Sequence, residues 1–463
     1  MSDLSTHLAW DATPDPMDVA VIGTGHVGLI TAVAMSVTGH RVVATDVDDD
    51  KIARLTEGEP HFYEPGLVES LERQLASGRL RFSSDPSTTV GDAEVVFICV
   101  GTPPRADGEA NLLAMETAAS MIARHARRSP VVVEKSTVPA GTADRVRQTM
   151  LRDSGGTHFE IVSNPEFLRE GSALHDSLHP DRIVVGGESE HALSVMRRLY
   201  EPITSQGCRL IEVDRATAEL AKHTSNAFLA LKISFANALA RLSELAGADV
   251  TAIVDVMGSD PRIGPAFLSA GLGYGGFCFP KDVAALERLS TRLGYPFPLL
   301  GEVARLNDEA VEAVASKVEE ALWNLEGKRI AILGLAFKPL TDDVRFSPAL
   351  TLARILLQRG AEVVGYDPRA IEEAAREVPE MQFARDAYEA IDGAHCAVIA
   401  TEWEEFLDLD LAAVRSRMTY PVIVDGRNLF DPAEMVAAGF SYYSVGRPAH
   451  PDGRVPLPSS LVS

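Results

Sequence analysis

Short apolar runs that end in polar, Gly or Pro residues alternate along this chain with longer stretches of helical spacing. The first run, Val19 to Ile22, is followed by Gly23, Gly25 and Gly28 as GxGxxG, then by a small, apolar stretch over 30–37. Gly39 closes that stretch, and RVVATD forms the next run, ending at Asp46. The pattern predicts strand, tight turn, helix, strand: the glycines allow the turn, the approach of a pyrophosphate and close helix–strand packing. Asp46 is placed to accept hydrogen bonds from an adenosine ribose, and its charge disfavours a 2′-phosphate, so NAD is preferred to NADP. A glycine-rich turn in an unrelated α/β domain is the competing reading. Further strands are predicted in AEVVFICVGTPP (93–104), PVVVEKSTV (130–138) and FEIVSNPEF (159–167), with shorter ones in DRIVVGG and CRLIEVD. Ligands collect at the carboxyl ends of strands in open parallel sheets, so Thr102, Thr137 and Glu166 point toward one crevice.

Residues 215–247 contain no Pro and no internal Gly and are apolar nearly all round, which predicts a buried helix. Such a helix suits a domain bridge or a dimer interface. Lys222 and Asn226 interrupt it one turn apart. From pattern alone Lys222 is equally a snorkelling surface lysine. Residues 326–368 repeat the first βαβ design with GLAFKP in place of GxGxxG, and CAVIATEW and PVIVDGRN supply later strands. The expected fold class is therefore α/β, with two Rossmann-like doubly wound domains joined by a long central helix. The expected division is a flexible tail over 1–16, an NAD-binding domain over 17–213, a central helical domain over 214–325, a second Rossmann-like domain over 326–447 and a flexible tail over 448–463.

Between the helix and the second repeat lies GLGYGGFCFPKD, residues 271–282. Glycines precede Cys278 and Pro280 follows it, a residue favoured at the start of a helix. This places Cys278 just outside a helix N-terminus, where free N–H groups and the dipole favour thiolate and lower the thiol pKa from its reference of about 8.5. Lys281 and Asp282 lie within the next turn. The alternatives are a small buried apolar residue and a redox-sensing thiol.

Composition changes this picture only by exclusion. The 463 residues are 46% hydrophobic and 24% charged, an ordinary globular balance, and the formal net charge of −23 argues against nucleic acid or an anionic membrane as the main partner. Cys99, Cys208, Cys278 and Cys396 form no CxxC pair, which fits a reducing compartment and gives no metal signature. The N-terminal residues lack a signal-peptide pattern, and no apolar run has the length of a membrane span, so the default location is the cytoplasm.

An ordered series of motifs then resembles the nucleotide-sugar 6-dehydrogenases, the UDP-glucose/GDP-mannose dehydrogenase family, over residues 17 to about 447. The motifs are GTGHVG, FYEPGL, CVGTPP, EKSTVPAGT, SNPEFLREGSA, AKHTSNAFLALKISFAN, GLGYGGFCFPKD, GLAFKPLTDDVR and DGRN. The resemblance implies an NAD-dependent four-electron oxidation of a sugar C6 alcohol to a carboxylate. Cys278 would form a thiohemiacetal and then a thioester. Lys222 and Asn226 would stabilise the oxyanions. Asp282 would act on the alcohol proton with Lys222 and a water, and Glu166 with Thr137 would direct water at the thioester. For the cofactor the matching residues are the turn Gly23, Gly25, His26, Val27 and Gly28, with Asp46 and Lys51 at the adenosine end. Val100, Gly101, Thr102, Ser136 and Thr137 line the groove, with Glu170 close by and Arg345 from the C-terminal domain. For the sugar nucleotide they are Glu166, Phe167, Leu168, Lys222 and Asn226, then Gly271, Tyr274, Gly275 and Gly276, and finally Phe337, Lys338 and Arg427. Arg262 matches an arginine that reaches substrate across a dimer interface, so a homodimer or an assembly of dimers is implied; otherwise it is a solvent arginine. Phe277 and Phe346 depart from the family pattern, where Ser and Glu are usual.

FYEPGL and the CFPKD ending resemble the branch that oxidises UDP-glucose more than the GDP-mannose branch, and the 2-acetamido-sugar enzymes come third. A non-catalytic NAD or sugar-nucleotide sensor would show damage among the six reacting residues, and all six are present. A two-electron hydroxyacid dehydrogenase would have no use for Cys278.

Overall fold

The computed structural model describes residues 15–103, 105 and 110–448; of the expected tails over 1–16 and 448–463, residues 1–14 and 449–463 lie outside them. The chain divides into two compact units, Met1–Ser225 and Asn226–Ser463. The division falls inside the helix Arg215–Ala246, the longest stretch predicted from the sequence.

The first unit is built on eight strands: β1 (Asp18–Ile22), β2 (Arg41–Thr45), β3 (Leu80–Phe82), β4 (Val95–Ile98), β5 (Val131–Glu134), β6 (Glu160–Ser163), β7 (Arg182–Gly186) and β8 (Arg209–Val213). Their order across the sheet is β3-β2-β1-β4-β5-β6-β7-β8. β1 pairs in parallel with β2 on one side and β4 on the other, so Ile22 faces Thr45 and Ile98 across the ladder. That reversal of strand order opens a ligand crevice at the carboxyl ends of β1 and β4. Every residue of β4 and β5 is buried, as strands covered on both faces require. The sheet is not parallel throughout: β6 meets β7 antiparallel at Ser163 and Gly186. The segment after β6 never crosses to the opposite edge, so β7 starts at the end where β6 stops. The SNPEFLREG segment therefore stays at the carboxyl end of the sheet.

The second unit carries six parallel strands: β9 (Arg329–Leu333), β10 (Glu362–Tyr366), β11 (Gln382–Phe383), β12 (Cys396–Ile399), β13 (Val422–Asp425) and β14 (Ser441–Ser444), in the order β11-β10-β9-β12-β13-β14. Helices Pro298–Leu322 and Pro348–Gln358 bury Val314, Val318, Leu352 and Leu356 against β9 and its neighbours. The two Rossmann halves differ at one decisive place. Asp367, just beyond β10, holds the position in the second half that Asp46 holds in the first. Its carboxylate is 1% exposed and accepts the amides of Leu335, Ala336, Arg369 and Ala370, with the Trp403 indole 3.2 Å away.

The long helix is not buried all round, as its composition predicts. Phe228, Phe235 and Leu242 are 61%, 47% and 60% exposed. Their seven-residue spacing puts them on one face, so the apolar excess is an uncovered stripe and not a core. No helix among the described residues is long and apolar enough to cross a membrane.

Candidate active site

The first unit supplies a cradle shaped for a dinucleotide. The helix His26–Val37 starts at the glycine turn and sits so close to it that a Cβ on Gly28 would lie 1.8 Å from the Gly23 carbonyl oxygen. Nothing lies within 4 Å of a Cβ placed on Gly25, so the turn is open on that side, where a pyrophosphate would reach the helix N-terminus. Asp46 accepts the Thr24 amide at 2.8 Å and hydroxyl at 3.0 Å, and Lys51 Nζ lies 3.2 Å from it. Burial alone would raise this carboxyl; the Thr24 bonds and the Lys51 charge outweigh it and hold the group below the usual carboxylate range. An ionised acceptor therefore waits where a ribose diol would dock. His26 stacks on Phe62 at 4.2 Å between ring centres and lies 3.7 Å from Glu64, while Val27 packs into the core below. Burial lowers His61 to about 4, so it is a neutral wall beside Lys51 and Asp46. The donor set and the glycine geometry fit NAD.

At the ends of β4 and β5, Ser136 donates to the Val100 carbonyl at 2.7 Å and Thr102 to the Thr137 carbonyl at 2.9 Å, locking the two segments together beside exposed Gly101. Glu166 and Lys222 form an ion pair at 3.0 Å with side chains only 6% and 3% exposed. Lys222 is therefore no snorkelling surface lysine. Glu166 also accepts the Leu168 amide at 2.7 Å, and Lys222 and Arg182 both face the Phe167 ring, at 5.3 and 4.1 Å. Glu170 is half-buried on the same segment.

In the second unit Cys278 is the first residue of the helix Cys278–Arg292, half-buried and outside any disulfide. The sequence places it just before the helix and Pro280 at the first position. Instead the backbone of Phe277 is already helical, with φ −68° and ψ −31°, so Pro280 falls third, still within the first turn where its missing N–H costs no bond. Asp282 is completely buried; it accepts Asn226 Nδ2 at 2.6 Å, with Lys281 Nζ 3.3 Å away. The loop before the cysteine is held from several directions. Gly271 N–H donates to Asn237 Oδ1 and the Tyr274 amide to Asn307 Oδ1, each at 2.8 Å, and the Gly276 amide bonds the Arg345 carbonyl at 2.9 Å. A Cβ on Gly275 would lie 2.3 Å from the Phe346 carbonyl, so that position excludes any side chain. The Tyr274 ring packs against Phe279, and burial pushes its hydroxyl up to about 12. The Phe277 ring lies near two cations, Lys281 Nζ at 5.3 Å and the Arg345 guanidinium at 4.7 Å. Arg345 also forks onto Asp343.

Arg427 reaches the carbonyls of Ala400 at 2.8 Å, Gly273 at 3.1 Å and Phe337 at 3.4 Å, so it clamps the cysteine loop to the end of the second sheet. Lys338 lies 5.5 Å from the Phe337 ring. Arg262 is exposed and grips Asp260 of its own turn. The sequence reading passes over Asn237 and Asn307, which hold the loop, and Glu64, which caps the SNPEFLREG segment through the amides of Gly171 at 2.8 Å and Ala173 at 2.6 Å. A polar residue inside an apolar helical pattern was the available signal for Asn237; Asn307 lies in an ordinary polar stretch.

Over residues 17–204, 216–309 and 331–432 the chain matches, in order, the NAD binding, central and UDP binding domains of the UDP-glucose/GDP-mannose dehydrogenase family. The chain belongs to this family. It is 44% identical over 436 residues to a UDP-glucose 6-dehydrogenase of Rhizobium meliloti (strain 1021), covering 93% of this chain and 100% of that one. It is 42% identical over 433 residues to UDP-glucose 6-dehydrogenase TuaD of Bacillus subtilis (strain 168), covering 93% of each. Among solved structures, a UDP-glucose dehydrogenase from the archaeon Pyrobaculum islandicum aligns with a TM-score of 0.87 at 40% identity, over 94% of this chain and 98% of that one. The family uses NAD, and its NAD-binding domain, residues 17–204 here, contains the glycine turn and Asp46. Replacing Asp46 with alanine should raise KM for NAD by about 10- to 100-fold, the worth of a charged hydrogen bond, and narrow the preference over NADP. Steady-state kinetics with both cofactors checks this; an unchanged NAD/NADP ratio would remove Asp46 from the ribose site.

Proposed function

We propose that this chain oxidises UDP-glucose to UDP-glucuronate, with two NAD reduced for each sugar. The carrying observation is Cys278 at the start of a helix, behind a glycine loop pinned by Asn237, Asn307 and Arg427, with a fully buried Asp282 one turn on. A simple alcohol dehydrogenase has no need of that thiol. Oxidation of the C6 alcohol gives an aldehyde, and an aldehyde carbon releases no second hydride until a nucleophile adds. Cys278 adds through Sγ to give a thiohemiacetal; loss of a hydride and a proton gives a thioester, and water releases the acid and restores the thiol. NAD, when bound, accepts the hydride in each oxidation.

The remaining roles are those that the family resemblance implies, and charge and burial support several of them. Lys222, held by Glu166 in a dry setting, keeps a cation for the developing oxyanion. Asn226 donates to Asp282, which leaves that carboxylate fixed to take the alcohol proton with Lys222 and a water. Glu166 and Thr137 direct water at the thioester. Gly23, Gly25, His26, Val27, Gly28, Asp46, Lys51, Val100, Gly101, Thr102, Ser136, Glu170 and Arg345 serve the cofactor. Phe167, Leu168, Gly271, Tyr274, Gly275, Gly276, Phe337, Lys338 and Arg427 serve the sugar nucleotide. On this reading residues 17–213 hold NAD, 326–447 hold the UDP-sugar, and 214–325 carry the cysteine and the subunit contact. The stripe Phe228, Phe235 and Leu242 supports a homodimer, in which Arg262 would serve the partner's substrate. That none of the four cysteines is in a disulfide supports a cytoplasmic location.

The test is NADH yield at completion with UDP-glucose limiting. Two NADH per sugar, with UDP-glucuronate as product, is expected. One NADH would mean that reaction stops at the aldehyde, and two only from GDP-mannose would overturn the choice of sugar.

A further inference from the structure

Beneath the Lys222–Glu166 pair lies a second group of buried acids that the proposed chemistry does not use. Glu134, the last residue of β5, is 1% exposed and faces Ser163 of β6 in register. Ser163 Oγ lies 3.3 Å from Glu134 Oε2 and 3.5 Å from Glu219 Oε1. Glu219, 4% exposed on the long helix, stands one turn before Lys222. It accepts the amides of Gly141 at 2.6 Å and Ala143 at 3.0 Å. These are the amides of the N-cap residue and of the second residue of the helix Thr142–Asp153, which has no side-chain cap of its own, so Glu219 is that helix's anionic cap. Glu134, Thr137, Glu219 and Lys222 also line one small cavity.

We propose that Glu134 and Glu219 share a single proton, carried by Glu134, and that this one-proton pair positions the Thr137 segment against the helix that bears Lys222. Two touching carboxyls in a dry site cannot both ionise. Two backbone amides point at Glu219 and bond its carboxyl group. Glu134 keeps the proton because no donor among the described residues reaches its Oε1 and because it is hydrogen-bonded to Glu219. Burial first, then the Glu219 charge, pushes Glu134 well above the carboxylate range. Among the described residues, charged groups near the pair include Arg215, tied to Asp144 and Glu188, and Lys222, tied to Glu166. His223 adds a parallel tie, with Nε2 2.9 Å from the Val138 carbonyl. The segment over 135–141 is thus fastened to the long helix at Val138 and at Gly141. Loss of the shared proton would place two anions in contact and drive that fastening apart. The functional part of the inference rests on the roles proposed for Thr137 and Lys222; the shared proton does not.

The sign of the linkage is set by the raised folded value. Above the ordinary glutamate range the unfolded chain has released the Glu134 proton while the folded chain still binds it, so this group lowers stability as pH rises, up to its folded pKa. E134Q keeps a neutral donor to Glu219 and cannot ionise in either state. Its Tm should therefore gain on wild type steadily from pH 5 to pH 8, a trend that a lost contact would not produce. Infrared spectra of the wild-type protein at pH 7.5 should show the carbonyl stretch of a protonated carboxylic acid, shifted by deuteration and missing from E134Q. E134Q should keep at least about half of wild-type kcat and lose the alkaline limb that the pair imposes. A wild-type spectrum with no acid carbonyl at pH 7.5 overturns the shared proton whether or not the variant folds. An acid band removed by E134Q with an unchanged alkaline limb keeps the proton but overturns its positioning role, and that result can be reached even if the sugar assignment fails.

Discussion

Changing Cys278 to serine is expected to lower kcat for the complete oxidation by about 10⁴-fold or more, the scale seen when an enzyme nucleophile is removed. NAD binding should stay within a factor of about two, because the groups proposed for the adenosine end, Asp46 and Lys51, are far along the chain and hold each other in place without it. The reasoning is chemical: serine keeps the size of the side chain but gives a poor nucleophile and, once acylated, an ester in place of a reactive thioester. Isothermal titration with NAD and single-turnover NADH formation separate the two effects. A first hydride released without a second is the signature to look for. A variant with more than about a tenth of wild-type turnover would show that no covalent intermediate forms on this residue.

Lys222 should matter in a second way. Lys222→Met removes the cation but keeps most of the volume, leaving Glu166 as a buried carboxylate without its partner. Breaking such a pair typically costs about 3–5 kcal/mol, and loss of oxyanion stabilisation lowers kcat by about 10²- to 10³-fold. We therefore expect both a lower Tm and a lower kcat. The double variant Lys222→Met, Glu166→Gln separates them: it should recover most of the stability, since no lone charge stays buried, and none of the activity. Activity that returned with stability would make the pair a purely structural element.

Much of this was legible in the sequence, and the reasons differ by residue. The βαβ units could be read because buried parallel strands are short apolar runs closed by Gly or polar residues, as at Val95–Ile98 and Val131–Glu134. The roles given to Cys278, Lys222 and Asp282 came from matching motifs; burial and hydrogen bonds were beyond that reading. Lys222 could be a surface lysine on pattern alone, because the carboxylate that pairs with it lies 56 positions away by its number, at Glu166. The antiparallel step at Ser163 was invisible because its cause, a segment that stays at one end of the sheet, has no local signature. The long helix misled on burial: an all-round apolar composition does not distinguish a core from an exposed apolar face. Glu134 shows the same limit in reverse, since a glutamate closing a strand reads as a solvent-facing residue until Ser163 and Glu219 are seen around it.

The Asp367 carboxylate has a bearing on stoichiometry. In the first half, Asp46 also accepts amides of its own turn, from Thr24 and Asp48, but its side chain stays 10% exposed. In the second half the equivalent acid is spent on the amides of its own turn and on the Trp403 indole, and it is sealed from water. A dinucleotide would have to displace those internal bonds to gain a ribose contact there. Two halves of like architecture therefore do not compete for one cofactor: each chain should titrate with a single equivalent of NAD, and the two cofactors needed per sugar must be used in succession at the same place.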